Sequence, residues 1–286
     1  MLSFAAAGHC RWSKAVRCAR KRAQGCDLHH VTSCKRDTAL QALTRRSCLG
    51  TCAGGEGNCP ATLRVMPAYF TAELFDFLKR LKRNNNRDWF LRHKQEYERC
   101  VRQPALNFIA DFAGPLFEIS PYLVSDPRSS RGSLFRIYRD TRFSHDKRPY
   151  KTHLAMRFSH AGRDVHSPGF YLHFEPGGCF AAAGLWHPEP PVLLQVRTAI
   201  TARAEEWRRV RGLLNWDDAN KLSRPPRGFA PDHAFVEDLK LKDLGTSVDF
   251  SDQQVCSPRF MPVLAGACRT MAPLARFLSS ALGLKF

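Results

Sequence analysis

The residues best suited to chemistry lie in one stretch, Arg136-Ile-Tyr-Arg-Asp-Thr-Arg-Phe-Ser-His-Asp-Lys-Arg-Pro-Tyr150, followed directly by Lys151. From Arg136 to Lys151 there are six basic residues against two acids, interleaved with Tyr138, Phe143 and Tyr150. Guanidinium groups recognise carboxylate and phosphate through paired hydrogen bonds, and aromatic rings stack on a base or on an arginine plane. The expectation is an anion pocket for a phosphorylated ligand, built from Arg136, Tyr138, Arg139, Asp140, Arg142, Asp146, Lys147, Tyr150 and Lys151. A competing reading uses the same residues. Asp140 and Asp146 can pair with Arg139, Arg142 or Lys147 in a salt-bridge network that only fixes a hairpin. Both stay open at this level.

A second group lies just downstream. Lys151 and His153 alternate with Thr152 and Leu154, while Tyr171, His173 and Glu175 alternate with Phe170, Leu172 and Phe174. Paired in register as a hairpin, these segments share one polar face. His153, His173 and Glu175 on that face are the candidates for acid–base work or for holding a metal, although histidine also occupies sheet positions without any such role. No phosphate-binding glycine loop, nucleophile elbow or His-Glu-x-x-His zinc motif is present, and no metal site is assigned. A cofactor cannot be named. Trp186-His-Pro-Glu189 either borders the same face or caps the next helix. The basic loop Lys221–Phe229 reads as a solvated connector or as a rim for an anionic partner.

The elements that must position these groups follow from periodicity. Thr71 is placed as an N-cap, with Glu73 in the first turn and Leu74, Phe75, Leu78 and Leu81 at helical spacing up to Asn84-Asn-Asn86. A second helix is expected over about Asp88–Val101. A third starts at Pro104, with Ala105, Phe108, Ile109, Phe112 and Leu116 as its stripe. The period then changes to two. Strands are expected around Phe135–Tyr138, Thr152–Phe158, Phe170–Phe174 and Cys179–Leu185, joined by hairpin-length connections at Ser159–Asp164 and Pro176–Gly178. Helices return from Pro190 to about Arg211, over Asp232–Lys240, and from near Pro258 to Leu282. The fold class is therefore α+β: N-terminal helices, a central antiparallel meander of about four strands, and C-terminal helices.

Composition bounds the partners. The 286-residue chain is 44% hydrophobic and carries 44 Lys and Arg against 26 acids, a net charge of +18. Seven of its eleven cysteines, and eleven of its basic residues against three acids, fall in residues 1–65. That basic, Cys-rich segment lacks periodicity and is read as disordered or as lying outside the native protein, with Met66 as the start of a single domain over 66–286. A transit peptide and a zinc site on Cys48, Cys52 and Cys59 are the other readings of it. No apolar run approaches the roughly 18 residues of a membrane span, and the scattered cysteines suit reduced thiols in a cytoplasmic protein. Beside the phosphorylated small molecule, two further functions are open. One is a hydrolase or transferase acting on phosphate esters or nucleotides. The other is a nucleic-acid binder without sequence preference, which the basic charge allows.

The segment resembles a known signature. Arg136, Arg139-Asp140, Arg142-Phe143, Asp146-Lys147 and Tyr150 match the pattern R-x-x-R-D-x-R-F-x-x-x-D-K-x-x-Y of the domain of unknown function 2461 family, a conserved hypothetical protein family. Asn84–Phe90, Pro168–Pro176, Gly184–Glu189 and Lys221–Phe229 are also similar to its segments. The resemblance covers about Tyr69 to Leu282. It implies one domain and no particular reaction.

Overall fold

Leu74, Phe75, Phe77, Leu78 and Leu81 are all buried along one side of α1 (Ala72–Arg83), with Thr71 in the extended conformation of an N-cap. The computed structural model describes residues 68–161, 167–215 and 220–286. The expectations for 1–65, for a start at Met66 and for part of the Ser159–Asp164 connection lie outside these residues. The single helix expected over 88–101 is instead three pieces: α2 (Arg87–Arg92), α3 (Lys94–Tyr97) and a π-helical turn at Glu98–Arg102. The break has a local cause. His93 leaves the helical conformation, its Nδ1 lies 2.8 Å from the carbonyl oxygen of Trp89, and its ring stacks on the Trp89 indole. The Asn86 side chain caps α2 by accepting from the Trp89 amide. Helix α4 (Gln103–Ile119) then starts with Pro104 in its first turn, as expected.

The sheet has five antiparallel strands in chain order, one more than expected: β1 (Leu123–Val124), β2 (Leu154–His160), β3 (Gly169–Phe174), β4 (Cys179–Leu185) and β5 (Leu244–Phe250). The stretch expected as a first strand, Phe135–Tyr138, makes isolated bridges instead. Its alternation is real, with Ile137 buried between exposed Arg136 and Tyr138. Its partner changes within two residues, however. The Phe135 amide donates to Ala155 on β2, whereas the Ile137 carbonyl accepts from Lys151 and the Arg139 amide donates to Pro149. A ladder cannot continue through such a switch, so residues 137–151 close a separate small hairpin.

One face of the sheet carries the helices. Met156 and Phe158 of β2, Phe170, Leu172 and Phe174 of β3, and Cys179, Ala181 and Ala183 of β4 join α4 and α9 (Phe260–Ala281) in the main core. Phe108 and Phe174 both pack on Phe260. The C-terminal half of α9 supplies Leu274, Phe277 and Leu278 to a second cluster. There it meets Leu193, Val196 and Ile200 of α5 (Pro190–Ala202), Trp207 of α6 (Ala204–Val210) and Leu239 of α7 (Val236–Leu239). The expected helix over 232–240 is thus only its last turn. A short helix α8 (Asp252–Val255), closed by a Ser251–Gln254 capping box, links β5 to α9. No helix among the described residues is long and apolar enough to cross a membrane.

On the opposite face, the register sets Ala155, His173, Phe180 and Asp249 in one row across β2 to β5. Arg157, Tyr171, Ala182 and Ser247 make the next row. Ala155, Phe180 and Ala182 are buried, yet they belong to neither hydrophobic cluster. This second face, away from α4 and α9, is where the polar candidates lie.

Candidate functional site

The 137–151 hairpin is anchored from below by aromatic stacking and from the side by an amide. The buried Tyr150 ring stacks on Phe90 at 4.1 Å and meets Tyr138 at 5.5 Å. Asn85 donates from Nδ2 to the Tyr150 carbonyl and accepts the Tyr150 amide at Oδ1, both at 3.0 Å. Tyr150 and the Asn84–Asn86 motif are therefore one structural unit.

Within the hairpin loop the charges sort into pairs. Arg139, whose side chain is only 8% exposed, donates from Nη1 to Asp146 Oδ2 at 2.6 Å, and Arg148 reaches the same carboxylate from the solvent side at 2.8 Å. Arg148, helped by Arg139 and opposed by burial, holds the Asp146 carboxyl well below the usual carboxylate range. Arg142 grips Asp140 through Nε, Nη2 and its own backbone amide, which brings that carboxyl down to about 2. With both acids engaged, Lys147 donates to the Thr141 carbonyl at 3.1 Å, and exposed Arg136 has no ion pair among the described residues. Two aromatic rings face solvent beside these cations, Tyr138 at 52% and Phe143 at 68% exposure. The Arg142 guanidinium carbon lies 5.7 Å from the Phe143 ring centre.

The sheet face brings the second group together. His153 and His173 stack at 4.4 Å, and His173 lies flat on Phe180 at 4.8 Å. Tyr171 Oη is 3.0 Å from His173 Nδ1, while His173 Nε2 lies 3.7 Å from Glu175 Oε2. His173 is 1% exposed, and its Nε2 makes no hydrogen bond. Glu175 also pairs with Lys82 of α1 at 3.3 Å. Neighbouring His173, against the opposing effect of burial and with Lys82 adding to it, keeps the Glu175 carboxyl below its ordinary value. Lys151 stands 5.2 Å over the Phe135 ring, and Phe135 meets Tyr171 edge-on at 6.1 Å. The loop and the face are thus joined by two ring contacts, Phe135 on Tyr171 and His153 on His173.

Sequence spacing anticipated a common face for Lys151, His153, Tyr171, His173 and Glu175. It carried no signal for Lys82, which is 93 residues from Glu175, and it read Phe135 as part of a first strand rather than as a contact of Tyr171 and Lys151. Among the described residues no group of three or more His, Cys, Asp and Glu side chains is arranged to hold a metal ion.

The two remaining segments serve each other. His187 has a positive φ of 45°, and its amide donates to Asp243 Oδ1 at 2.6 Å. Asn220 bonds the other oxygen of Asp243, and the adjacent Lys221 pairs with Glu237 of α7 at 3.2 Å. Trp186–Glu189 and the start of the Lys221–Phe229 loop therefore meet at the buried Asp243 carboxylate, while Arg224 and Arg227 stay exposed.

Residues 73–277 match the family described as conserved hypothetical protein (DUF2461). The chain belongs to this family. No curated protein and no solved structure matches the chain. The matched span runs from α1 into the last turns of α9. The DUF2461 domain therefore includes the hairpin loop, all five strands and, Phe70 and Leu278 apart, the buried residues of both hydrophobic clusters.

Proposed function

We propose that this domain binds a small phosphate-bearing molecule at the 136–151 segment. The observation that carries the reading is the charge left after the acids are used. Asp140 and Asp146 are held by Arg142, Arg139 and Arg148, while Arg136 and Lys147 have no carboxylate partner among the described residues and stand beside exposed Tyr138 and Phe143. Arg139, Asp140 and Asp146 shape the loop. Arg136 and Lys147 meet the anion, with Lys151 at its edge. The exposed rings suit a ligand with a flat group, such as a nucleotide. A cytoplasmic setting fits the free thiols of Cys100, Cys179, Cys256 and Cys268.

The test is a thermal-shift screen of nucleotides and sugar phosphates, with Arg136→Ala as control. A ligand at about 100 times its Kd adds about 2.7 kcal/mol of apparent stability, which is a readable shift. Stabilisation of the wild type that disappears in the variant is the expected result. A panel without any stabilising compound, or an equal response from the variant, would rule the pocket out. Binding to mixed oligonucleotides with a steep salt dependence would reassign the same cations to nucleic acid.

A further inference from the structure

Tyr171, His173 and Glu175 occupy alternate positions of β3 and its extension, so their side chains rise from the same face. The Tyr171 hydroxyl lies 3.0 Å from His173 Nδ1. A phenol hydroxyl donating to that nitrogen requires it to be bare, which puts the ring proton on Nε2. Nε2 faces Glu175 Oε2 at 3.7 Å, and Lys82 holds the far side of the same carboxylate. His153 and Phe180 sandwich the imidazole and bury it. This is the arrangement of a hydroxyl, a base within hydrogen-bond reach, and a carboxylate that orients the base. A buried ring nitrogen with no hydrogen bond has no evident packing benefit, since leaving such a group unpaired costs stability.

We propose that Tyr171 is the proton-transferring group of a phosphate-monoester hydrolase site, with His173 and Glu175 as its positioning residues. The proposal rests on the anion-binding reading above and extends it. The Phe135 ring, under Lys151 and against Tyr171, carries the site from the cationic loop to the hydroxyl. A phosphate met by Arg136 and Lys147, with Lys151 at its edge, brings its ester bond toward the Tyr171 oxygen. Water attacking phosphorus gives a proton to that oxygen as Tyr171 gives its own to His173 Nδ1. The water oxygen forms the new bond to phosphorus, and the bond to the ester oxygen breaks with its electron pair. The leaving oxygen takes a proton from solvent, and His173 returns its extra proton to solvent through Tyr171. The net products are an alcohol and inorganic phosphate. Glu175 stabilises the transient imidazolium.

The full chain is assayed for p-nitrophenyl phosphate hydrolysis and, separately, for inorganic phosphate binding by calorimetry. Tyr171→Phe is expected to lose about 10²- to 10⁴-fold in turnover while still binding phosphate. Arg136→Ala is expected to lose the binding. Phosphate binding without hydrolysis, or a Tyr171→Phe enzyme as fast as wild type, overturns the relay and leaves the binding reading intact. No phosphate binding in either the wild type or Arg136→Ala removes the anion site on which both depend. Because a His173 variant risks the fold, the relay is also read by ¹⁵N NMR of the histidine rings. The Nε2–H tautomer is expected for His173, with a changed Nδ1 resonance in Tyr171→Phe and in Glu175→Gln. The Nδ1–H tautomer in the wild type overturns the relay whatever the turnover.

Discussion

Asn85 and Tyr150, 65 residues apart, exchange two hydrogen bonds as if the asparagine side chain were a short piece of strand. The amide supplies one donor and one acceptor to a backbone unit that the hairpin leaves unpaired. Truncation strands both groups of a half-buried peptide. Asn85→Ala is therefore expected to cost about 1–3 kcal/mol, the sum for two such bonds. Asn85→Asp keeps the acceptor, loses the donor and falls between the two. Urea denaturation measures this, and an unchanged midpoint for Asn85→Ala would show that the clamp contributes nothing.

Arg139–Asp146 and Arg142–Asp140, two of the loop's arginine–aspartate pairs, look alike in sequence and differ in burial. Arg139 is 8% exposed against Asp146, whereas Arg142 is 63% exposed against Asp140. Removing Arg139 leaves a cavity and takes the inner partner from Asp146, although Asp146 keeps Arg148 and is itself 35% exposed. That screening moderates the loss to about 2 kcal/mol for Arg139→Ala. Arg142→Ala is expected to stay within about 0.5 kcal/mol of wild type. Paired denaturation curves check the contrast, and equal costs would refute it.

Much of this arrangement was legible in the chain, and the gaps have physical causes. Helices α1, α4 and α9 bury broad apolar stripes, and β2 and β3 alternate, so single-segment patterns sufficed there, whereas β4 is an apolar run buried on both faces that followed from its place after the Pro176–Gly178 turn. Strand β5 reads Leu-Gly-Thr-Ser-Val-Asp-Phe, where Gly245 and inward-facing Thr246 blur the period, and β1 is too short to show one. Phe135–Tyr138 alternated correctly but changes partner, which no local pattern encodes. The same holds at the site. The loop and the polar face were visible as residue types, while Lys82 on Glu175 and Asn85 on Tyr150 depend on tertiary placement.

Acid should weaken the fold through the carboxylates that cations hold down. Glu175 and Asp146 both titrate below their ordinary values of 4.5 and 3.8 when folded. Protons then bind the unfolded chain more readily, so the stabilisation is complete above those ordinary values. It is lost as pH falls through the lower folded values. Urea midpoints are expected to drop below about pH 4.5. Glu175→Gln flattens the upper part of that fall, and a variant curve parallel to wild type would contradict the coupling to His173 and Lys82.

Gly184 is the tightest point between β4 and β5. Its φ is +145°, and a Cβ there would sit 2.2 Å from the Leu244 carbonyl oxygen and 2.5 Å from the Gly245 Cα. Both obstacles are backbone, so no side-chain rotation relieves them. The alanine must also adopt a conformation that residues with a Cβ avoid. Adding the strain to the overlap gives an expected cost of about 3 kcal/mol or more for Gly184→Ala. The damage should spread unevenly. Gly184 pairs with Gly245 at the end of β4 next to Trp186 and His187, whereas Tyr171 pairs with Ala182 and His173 with Phe180 farther along. Hydrogen exchange should therefore rise first at Thr246, Ser247 and the His187 amide. Protection of β3 against β2 persists until global unfolding. A variant with wild-type stability would mean that β5 can slide away from β4 at no cost, and the five-stranded register would then need revision at that edge.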